Sequence, residues 1–387
     1  MTIHWCGTGL SAVPGLRRLI KAGHPVTVWN RTVDKAAQAV GDLTQDIHAF
    51  DMAALGAQLA AGDVVVSMLP GDWHVPLASL CLEKGAHFVS SSYIAPEMRA
   101  LDQAARDRGL CFVNEVGLDP GIDHLMAHHL VEDYRAWAAN NLGDNLGDAA
   151  AAELSFISYC GGVPKIANPF RYKFSWSPLG VLKALRSPSR SLRDFAELNV
   201  DRPWNAISTY TAPLPTPEDF EVYPNRDSLP FMQQYHFDPS WKVKDFVRGT
   251  LRLNGWAEAW KDVFAEIETL QGPEGDARLK EMSDGFWRDN AYDPGEPDRV
   301  VLVVALQAQR DGQDLWHKCY VMDAWGDSDG TAMARLVSVP VSLAIEAVLA
   351  GRIGAGVSAA PSAPELVQEW MGEIGKLSQH LDIVTLA

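Results

Sequence analysis

The segment Gly7-Thr8-Gly9-Leu10-Ser11-Ala12 follows a short apolar run, Ile3–Cys6, and opens a helical stretch, Leu10–Ala22. It has the G-x-G-x-x-(G/A) pattern of a dinucleotide-binding turn. The first glycine permits a tight turn, the second lets the backbone approach a pyrophosphate, and the small third residue packs helix on sheet. The helix N-terminus offers free N–H groups to an anion. The context predicts dinucleotide binding rather than a merely structural turn.

Strands and helices alternate outward from this turn. The remaining strands of the first 125 residues are predicted at Pro25–Trp29, Asp63–Met68, His87–Ser91 and Leu110–Glu115, and the helices at Thr32–Val40, His74–Lys84 and Pro96–Arg108. Alternation at this spacing indicates βαβ units and a parallel sheet, so the fold class is α/β.

The pattern changes near residue 140, where Asn140–Asp148 is rich in Gly, Asn and Asp and predicts a flexible insertion. Strands are predicted at Ala152–Tyr159, Ile207–Ala212, Val247–Leu253, Arg299–Gln309 and Leu315–Ala324, and the last two flank an Asp311-Gly312 hairpin turn. Trp256–Leu270 predicts an amphipathic helix, Gly272–Asp298 a charged surface insertion, and Thr331–Ala350 a helix kinked at Pro340. These segments predict a second domain with an antiparallel or mixed sheet.

Composition limits the function classes. The 387 residues suggest two or three domains, and 33 basic against 49 acidic residues give a net charge of −16. Such an acidic surface repels phosphate backbones and anionic lipid, so we expect neither nucleic acid nor membrane partners. An anionic substrate would need arginines and lysines concentrated at its own site.

Targeting and cysteine patterns predict a reduced, cytoplasmic location. The five cysteines are widely spaced without a C-x-x-C pair, which argues against a disulfide framework and a zinc module. The first residues, MTIHWCGTG, lack the features of a secretory signal. Apolar runs such as Val300–Leu306 fall short of the roughly 20 residues that span a bilayer.

The second predicted strand ends in Trp29-Asn30-Arg31-Thr32. An NAD site places an acid at this strand end, whereas an NADP site offers arginine and small polar groups. The acid is missing and Arg31 is present, so we predict NADP as the cofactor, with Arg31 as a ligand of its 2′-phosphate. The alternative is that Arg31 is a solvated surface residue.

Four other groups of polar residues are candidates for function, and for each the local sequence also allows a purely structural role. In Asn114–His124, Asp119 and Pro120 suit a helix start and equally a ligand contact, because ligands bind beyond the carboxyl ends of parallel strands. Asp123, His124, His128 and His129 lack the H-E-x-x-H pattern and a further ligand, so we interpret them as polar helix positions and expect no metal. Ser90–Tyr93 can be interpreted simply as the polar end of a strand. Cys160 can likewise be interpreted as a small, buried apolar residue.

The chain resembles the saccharopine dehydrogenase family, in particular its NADP-dependent, glutamate-forming members. The resemblance lies in GTGLSA, NRT, SSSYI, NEVGLDPGIDHLMA, SYCGG, NPFRYKFSW, YPNRDS and VRGTLRLNGW, between residues 7 and 256. It implies a variant Rossmann NADP-binding domain over 1–125, completed by 331–387. The implied second domain, 126–330, is a mixed-sheet α+β substrate-binding and dimerisation domain with a short helical insertion at about 255–298.

The resemblance also implies a reaction and a set of site residues. The reaction interconverts saccharopine with glutamate and aminoadipate semialdehyde using NADP(H), in a homodimer. Residues implied to line the cofactor are Gly7, Thr8, Gly9, Leu10, Ser11, Ala12, Asn30, Arg31, Thr32, Asp51, Met52, Leu69, Ser91, Ser92, Leu118, Asp119, Pro120 and Ser177. Those implied to bind saccharopine are Ser92, Tyr93, Asp119, Arg226, Thr250, Leu251 and Arg252, and the polar groups nearest the reacting amine are Tyr93, Asp119 and Cys160.

The residue types agree with a substrate that carries three carboxylates, because guanidinium groups such as those of Arg226 and Arg252 bind carboxylates in bidentate fashion. Two alternatives stay open: a related secondary-amine-forming enzyme such as carboxynorspermidine dehydrogenase, and a non-catalytic NADP-binding sensor. The helical insertion, at Glu258–Asp298, is shorter than is usual in the family, and the loop Asn140–Asp148 is longer.

Overall fold

A computed structural model describes residues 1–142 and 152–386. The chain divides into two compact units. The first contains Met1–Leu125 and Met333–Leu377, and the second contains Met126–Ala332 and Ser378–Ala387. Most of the predicted insertion Asn140–Asp148 lies outside the described residues.

The first unit is built on seven parallel strands in the order β15-β6-β5-β4-β1-β2-β3. Their bounds are β1 Ile3–Cys6, β2 Val26–Asn30, β3 Ile47–Ala49, β4 Val64–Ser67, β5 His87–Ser90, β6 Cys111–Val113 and β15 Gly356–Ser358. β1, β4 and β6 are buried at every position, as expected for strands covered on both faces. The parallel α/β sheet predicted from the sequence is confirmed.

Helices of the first unit are Val13–Lys21, Val33–Val40, Met52–Gln58, His74–Lys84, Pro96–Arg99, Asp102–Asp107, Ala332–Leu349 and Pro364–Gly375, with a 3₁₀ turn at Gly71–Trp73. The helix Ile122–Asn141 begins at the end of the first unit and belongs to the second unit from Met126 onward. The first helix starts at Val13, three residues later than predicted, because the glycine loop is not helical. The single helix predicted over Pro96–Arg108 is two short helices instead.

The helix Ala332–Leu349 continues through Pro340. With a mean hydropathy of 1.7 it has the length and composition to cross a membrane, yet 83% of it is buried inside the protein, as in a core helix. Our estimate from runs such as Val300–Leu306 overlooked this segment. Gly15 packs against it: a Cβ at Gly15 would lie 1.9 Å from the Ser338 carbonyl oxygen, so only glycine permits this approach.

The second unit is a nine-stranded mixed sheet with the path β10-β11-β12-β7-β13-β14-β16, and β8 pairs with β12 and β9. The bounds are β7 Glu153–Pro164, β8 Ser189–Arg193, β9 Ala196–Val200, β10 Ser208–Ala212, β11 Glu218–Pro224, β12 Lys242–Leu253, β13 Asp298–Arg310, β14 Gln313–Trp325 and β16 His380–Thr385. Only the β12–β7 pair is parallel among the described ladders of this sheet. Because β16 pairs with β14, the C-terminal return to the first unit ends at Leu377 and not at residue 387.

The predicted hairpin joins β13 to β14 through Asp311 and Gly312, whose φ angles of 51° and 76° are those of a tight hairpin turn. Helices of this unit are Pro178–Arg186, Pro230–Gln234, Trp256–Ala259, Lys261–Thr269 and Gly272–Asn290, with a 3₁₀ turn at Pro203–Ala206. The predicted helix Trp256–Leu270 is therefore interrupted at Trp260. The stretch predicted as a surface insertion is largely a helix that buries Leu279 and Met282 in an aromatic cluster.

Candidate active site

The glycine loop lies between β1 and the helix Val13–Lys21. Gly7 has a φ of 105°, and a Cβ there would lie 2.8 Å from the Met68 carbonyl oxygen. At Gly9 nothing lies within 4 Å of where a Cβ would be, so the backbone is open to a ligand. The Thr8 hydroxyl oxygen is buried and has no hydrogen-bond partner among the described residues. An open backbone beside an unsatisfied buried hydroxyl fits a bound phosphate group.

The residues after β2 shape one side of this loop. The Thr8 N–H donates to Asn30 Oδ1 at 3.2 Å, and Asn30 Nδ2 donates to the Thr32 carbonyl at 2.8 Å. Thr32 precedes the helix Val33–Val40 as its N-cap residue. Arg31 is exposed, and no hydrogen bond or ion pair joins it to the residues that the structure describes. Its guanidinium group is therefore available to an exogenous phosphate.

Other residues implied to bind the cofactor follow successive strands at the carboxyl edge of the sheet, where ligands bind in parallel α/β folds. These are Asp51 and Met52 after β3, Leu69 after β4, Ser91 and Ser92 after β5, and Leu118, Asp119 and Pro120 after β6. Asp51 accepts a hydrogen bond from the Ala54 N–H and caps a helix. Ser177 belongs to the second unit, where it caps the helix Pro178–Arg186.

His74 connects two of these strand ends and was not predicted. Its Nδ1 lies 2.8 Å from the Ser67 hydroxyl and its Nε2 lies 2.7 Å from the Ser92 hydroxyl. Burial lowers the pKa of His74 to about 4, so the ring is neutral at physiological pH and one nitrogen donates while the other accepts. The ring therefore fixes the Ser92 hydroxyl by a hydrogen bond. No local sequence motif marks His74 for this role.

Tyr93 and Asp119 meet across two neighbouring loops. The Tyr93 hydroxyl donates to Asp119 Oδ1 at 2.9 Å, and both residues are half-buried. The peptide bond from Asp119 to Pro120 is cis, and the Gly117 N–H donates to the Pro120 carbonyl at 2.9 Å. The structure thus brings together a phenol and a carboxylate that the sequence separates by 26 residues.

The histidines of the helix Ile122–Asn141 each contact protein groups. His124 Nε2 lies 3.0 Å from Glu115 Oε2, the His128 ring packs against Tyr235 and His236, and His129 Nδ1 lies 2.5 Å from the Tyr320 hydroxyl. The described residues hold no group of three or more His, Cys, Asp or Glu side chains arranged for a metal ion.

A second polar group lies on the sheet of the second unit. The ladder pairs Cys160 of β7 with Thr250 of β12, and Thr250 with Tyr223 of β11. Arg252, two residues beyond Thr250, lies on the same face because side chains alternate along a strand. Leu251 points to the opposite face and is fully buried in an apolar cluster. Only the backbone of Leu251 is therefore available to a ligand, which limits the role implied for it.

Arg252 is a buried cation without a carboxylate partner. It is 5% exposed, and its guanidinium carbon lies 4.8 Å, 5.7 Å and 5.4 Å from the ring centroids of Tyr172, Tyr223 and Trp256. Its Nη1 donates to the Leu251 carbonyl at 3.3 Å, but among the described residues its Nε has no hydrogen-bond partner and no carboxylate forms an ion pair with it. A buried charge left unpaired is costly, so this group is suited to receive an anion.

The acid nearest to Arg252 in register is engaged elsewhere. Glu221 pairs with Arg252 across β11 and β12, but its carboxylate accepts the Gly255 N–H at 2.8 Å and the Ala257 N–H at 2.7 Å. These bonds satisfy the first turn of the helix Trp256–Ala259. Glu221 is therefore oriented toward these backbone N–H groups and does not form an ion pair with Arg252.

Arg226 lies just after β11 and is exposed, with a φ of 58°. Asp227, the acid that follows it in the sequence, is bound by Arg190 through contacts of 3.1 Å and 2.8 Å.

Two protein-family models together match nearly the whole chain. Residues 3–113 match the model of the saccharopine dehydrogenase NADP binding domain, and residues 117–378 match that of the saccharopine dehydrogenase C-terminal domain. The chain belongs to the saccharopine dehydrogenase family. The first match also confirms the prediction of an NADP(H)-binding domain.

Relatives within the saccharopine dehydrogenase family are similar over different lengths. A saccharopine dehydrogenase [NADP(+), L-glutamate-forming] from Pyricularia oryzae is 36% identical over 69% of this chain and 58% of its own length. The mitochondrial alpha-aminoadipic semialdehyde synthase from Bos taurus is 27% identical over 81% of this chain and 39% of its own length. The chain thus spans roughly four to six tenths of these curated relatives.

A solved saccharopine dehydrogenase structure matches over the whole fold. The apo form of the L-Glu-forming enzyme from Saccharomyces cerevisiae superimposes with a TM-score of 0.79, 26% identity and full coverage of both chains. A homospermidine synthase from Legionella pneumophila, at 10% identity and a TM-score of 0.65, shares the fold alone. These matches confirm the predicted fold class.

Proposed function

We propose that this member of the saccharopine dehydrogenase family is an NADP-dependent oxidoreductase that interconverts saccharopine with L-glutamate and L-2-aminoadipate 6-semialdehyde. The observation that carries the proposal is the buried guanidinium of Arg252, which has no carboxylate partner among the described residues and lies on the same sheet face as Cys160 and Thr250. Saccharopine has three carboxylates, and a carboxylate is the bidentate partner of a guanidinium group. The similarity to L-glutamate-forming saccharopine dehydrogenases from Pyricularia oryzae and Saccharomyces cerevisiae supports the same reaction.

The proposed saccharopine-binding residues are Ser92, Tyr93 and Asp119 in the first unit and Arg226, Thr250, Leu251 and Arg252 in the second. The three arginine and threonine side chains supply cationic and hydroxyl groups in a chain whose net charge is −16. Concentrating these groups at one site offsets the repulsion that the whole protein exerts on an anion.

The residues proposed to hold NADP are those of Gly7–Ala12 and Asn30–Thr32, together with the strand-end residues from Asp51 to Pro120 named above and Ser177. When bound, NADP accepts the hydride from the carbon beside the secondary amine of saccharopine. Arg31 supplies the charge that distinguishes a 2′-phosphate from a hydroxyl group.

Tyr93 and Asp119 are the proposed groups for proton transfer. The secondary amine must be neutral before hydride leaves, the resulting imine must take up water, and the carbinolamine must lose its amine; each step moves a proton. The Tyr93 hydroxyl donates to Asp119 Oδ1, so the phenol proton and the carboxylate are held in a fixed orientation. Cys160 is the third polar group proposed near the reacting amine.

We also propose that the protein works as a homodimer in the cytoplasm and has neither nucleic acid nor membrane partners. The resemblance to the family supports the dimer. The strongly acidic composition and the five buried cysteines, which form no disulfide among the described residues, support the remaining assignments.

The test is a comparison of substrates with purified protein and NADP, followed by NADPH absorbance. We expect NADPH formation from saccharopine and little from carboxynorspermidine. Preference for carboxynorspermidine would support the related amine-forming dehydrogenase instead. Tight NADP binding without turnover of either compound would indicate a sensor and contradict the proposal.

A further inference from the structure

A buried cluster of three ionisable side chains lies behind the loops that carry Tyr93 and Asp119. The cluster consists of Glu115, Asp123 and His124, which are 4%, 0% and 0% exposed. Their placement beneath two loops raises the question of what the three groups hold in position.

Glu115 forms hydrogen bonds with the residues on both sides of Tyr93. Its backbone N–H donates to the Ser92 carbonyl at 3.1 Å, and its Oε1 accepts the Ile94 N–H at 2.9 Å. Glu115 itself has a φ of 54°, a conformation that a non-glycine residue rarely adopts. Its second carboxylate oxygen, Oε2, lies 3.0 Å from His124 Nε2.

His124 and Asp123 extend the cluster to the loop of Asp119. His124 Nδ1 lies 3.5 Å from Asp123 Oδ2, and Asp123 Oδ1 accepts the Gly121 N–H at 2.7 Å. Gly121 follows Asp119 by two residues and folds back on Gly117 so closely that a Cβ there would lie 2.1 Å from the Gly117 oxygen. A continuous series of polar contacts thus runs from Ile94 to Gly121.

Such a cluster is a poor device for stability alone. Burying ionisable side chains gives up their hydration, and apolar side chains of similar size often stabilise a fold as well or better. A satisfied polar network does fix the orientation of the groups that it contacts. The contacts here end on Ser92 and Ile94, which flank Tyr93, and on Gly121, two residues after Asp119; Tyr93 and Asp119 are the pair proposed for proton transfer.

We infer that Glu115, Asp123 and His124 are positioning residues that align the Tyr93 hydroxyl with the Asp119 carboxylate for the reaction. The inference rests on the proposed function, because alignment matters only if this pair serves the chemistry. The three residues act through Tyr93 and Asp119 rather than by contact with substrate.

The chain provides a matched control at another buried pair of the same unit. Asp63 is 4% exposed, accepts the Thr2 N–H at 2.7 Å and the Ala60 N–H at 2.9 Å, and lies 3.4 Å from His4 Nε2. It thus has the same kinds of partners as Glu115. Asp63 precedes β4, at the amino edge of the sheet and away from the strand ends that carry the site.

The experiment compares Glu115→Gln with Asp63→Asn in the full chain, measuring the melting temperature, the Kd for NADPH, and kcat and KM for saccharopine. We expect Glu115→Gln to lower kcat about tenfold or more, and Asp63→Asn to leave kcat within about twofold at a similar melting temperature. Combining Glu115→Gln with Tyr93→Phe separates positioning from general damage. In the Tyr93→Phe background the additional loss from Glu115→Gln should shrink to about twofold, because the aligned hydroxyl is already absent.

Equal kcat values for Glu115→Gln and Asp63→Asn, or an undiminished loss in the Tyr93→Phe background, would overturn the inference while the proposed function stands. Failure of the wild type to turn over saccharopine contradicts the proposed function itself and is seen before any variant is compared. If Glu115→Gln does not fold, Asp123→Asn, which keeps an oxygen for the Gly121 N–H, takes its place under the same criteria. If neither folds while Asp63→Asn does, the cluster serves stability and the inference is wrong.

Discussion

Replacing Arg252 by methionine separates substrate recognition from folding. Methionine has a length similar to that of the arginine stem and can fill the space among Tyr172, Tyr223 and Trp256. Because Arg252 has no carboxylate partner among the described residues, the substitution leaves no acid unpaired. We therefore expect the melting temperature of Arg252→Met to stay within a few degrees of the wild-type value, or to rise.

Unlike the melting temperature, the kcat/KM of Arg252→Met for saccharopine should fall strongly. Loss of a desolvated contact between a guanidinium group and a carboxylate costs about 2–5 kcal/mol. At about 1.4 kcal/mol per tenfold, kcat/KM for saccharopine should fall by roughly 30-fold to several thousand-fold. The Kd for NADP should change little, because the nucleotide is assigned chiefly to the first unit. Steady-state kinetics, NADPH titration and thermal unfolding give the three values.

Arg299 is the matched control on the neighbouring part of the same sheet. Its guanidinium group contacts Asp323 at 2.7 Å and Glu218 at 2.8 Å, so Arg299→Met leaves two acids without their cation. We expect that variant to lose about 3–5 kcal/mol of unfolding free energy. The reasoning is refuted if Arg252→Met is destabilised as strongly as Arg299→Met, or if its kcat/KM stays near the wild-type value.

Three further predictions concern the cofactor, pH and metals. Arg31→Ala should weaken NADP binding about ten- to a hundredfold and leave NAD binding nearly unchanged, because a charge-assisted contact is worth roughly 1.5–3 kcal/mol; equal wild-type affinity for the two cofactors would contradict this. Because burial lowers the pKa of His74 to about 4, the unfolded chain binds a proton there between about pH 6.5 and pH 4 that the folded chain does not. Stability therefore falls with decreasing pH across this window, and His74→Gln should reduce that fall by about 3 kcal/mol in urea unfolding; an unchanged pH dependence would show that the His74 pKa is not depressed. Treatment with a chelator should leave activity intact, whereas a stoichiometric transition metal in the purified protein would refute our interpretation of His124 and His128.

The sequence identified the elements whose signals are local. Buried runs such as Val64–Ser67 and the Asp311-Gly312 turn carry their own patterns, and both appear where they were predicted. The three-residue strand Ile47–Ala49 was missed, because it is short and only partly buried. The strand His380–Thr385 was not predicted, and its segment was assigned to the first domain as part of 331–387, since its pairing with Lys318–Asp323 depends on contacts distant in the sequence.

In the candidate site too, features with a local sequence signal were predicted and those that depend on tertiary contacts were not. The glycine loop and Arg31 were found from a motif and a missing acid. His74 was not, because its partners Ser67 and Ser92 come together only when β4 and β5 pair. Nor does the sequence show that Glu221 caps a helix and leaves Arg252 without a counter-ion among the residues that the structure describes. That choice between an ion pair and an open anion site is made by the tertiary structure.

The proposed reaction is tested most directly by a product analysis with purified protein, saccharopine and a limiting amount of NADP. We expect one glutamate and one semialdehyde for every NADPH, because oxidation beside the amine followed by hydrolysis yields these products together. The reverse mixture of glutamate, semialdehyde and NADPH should regenerate saccharopine. NADPH formation without glutamate, or no reaction in either direction, would contradict the central claim.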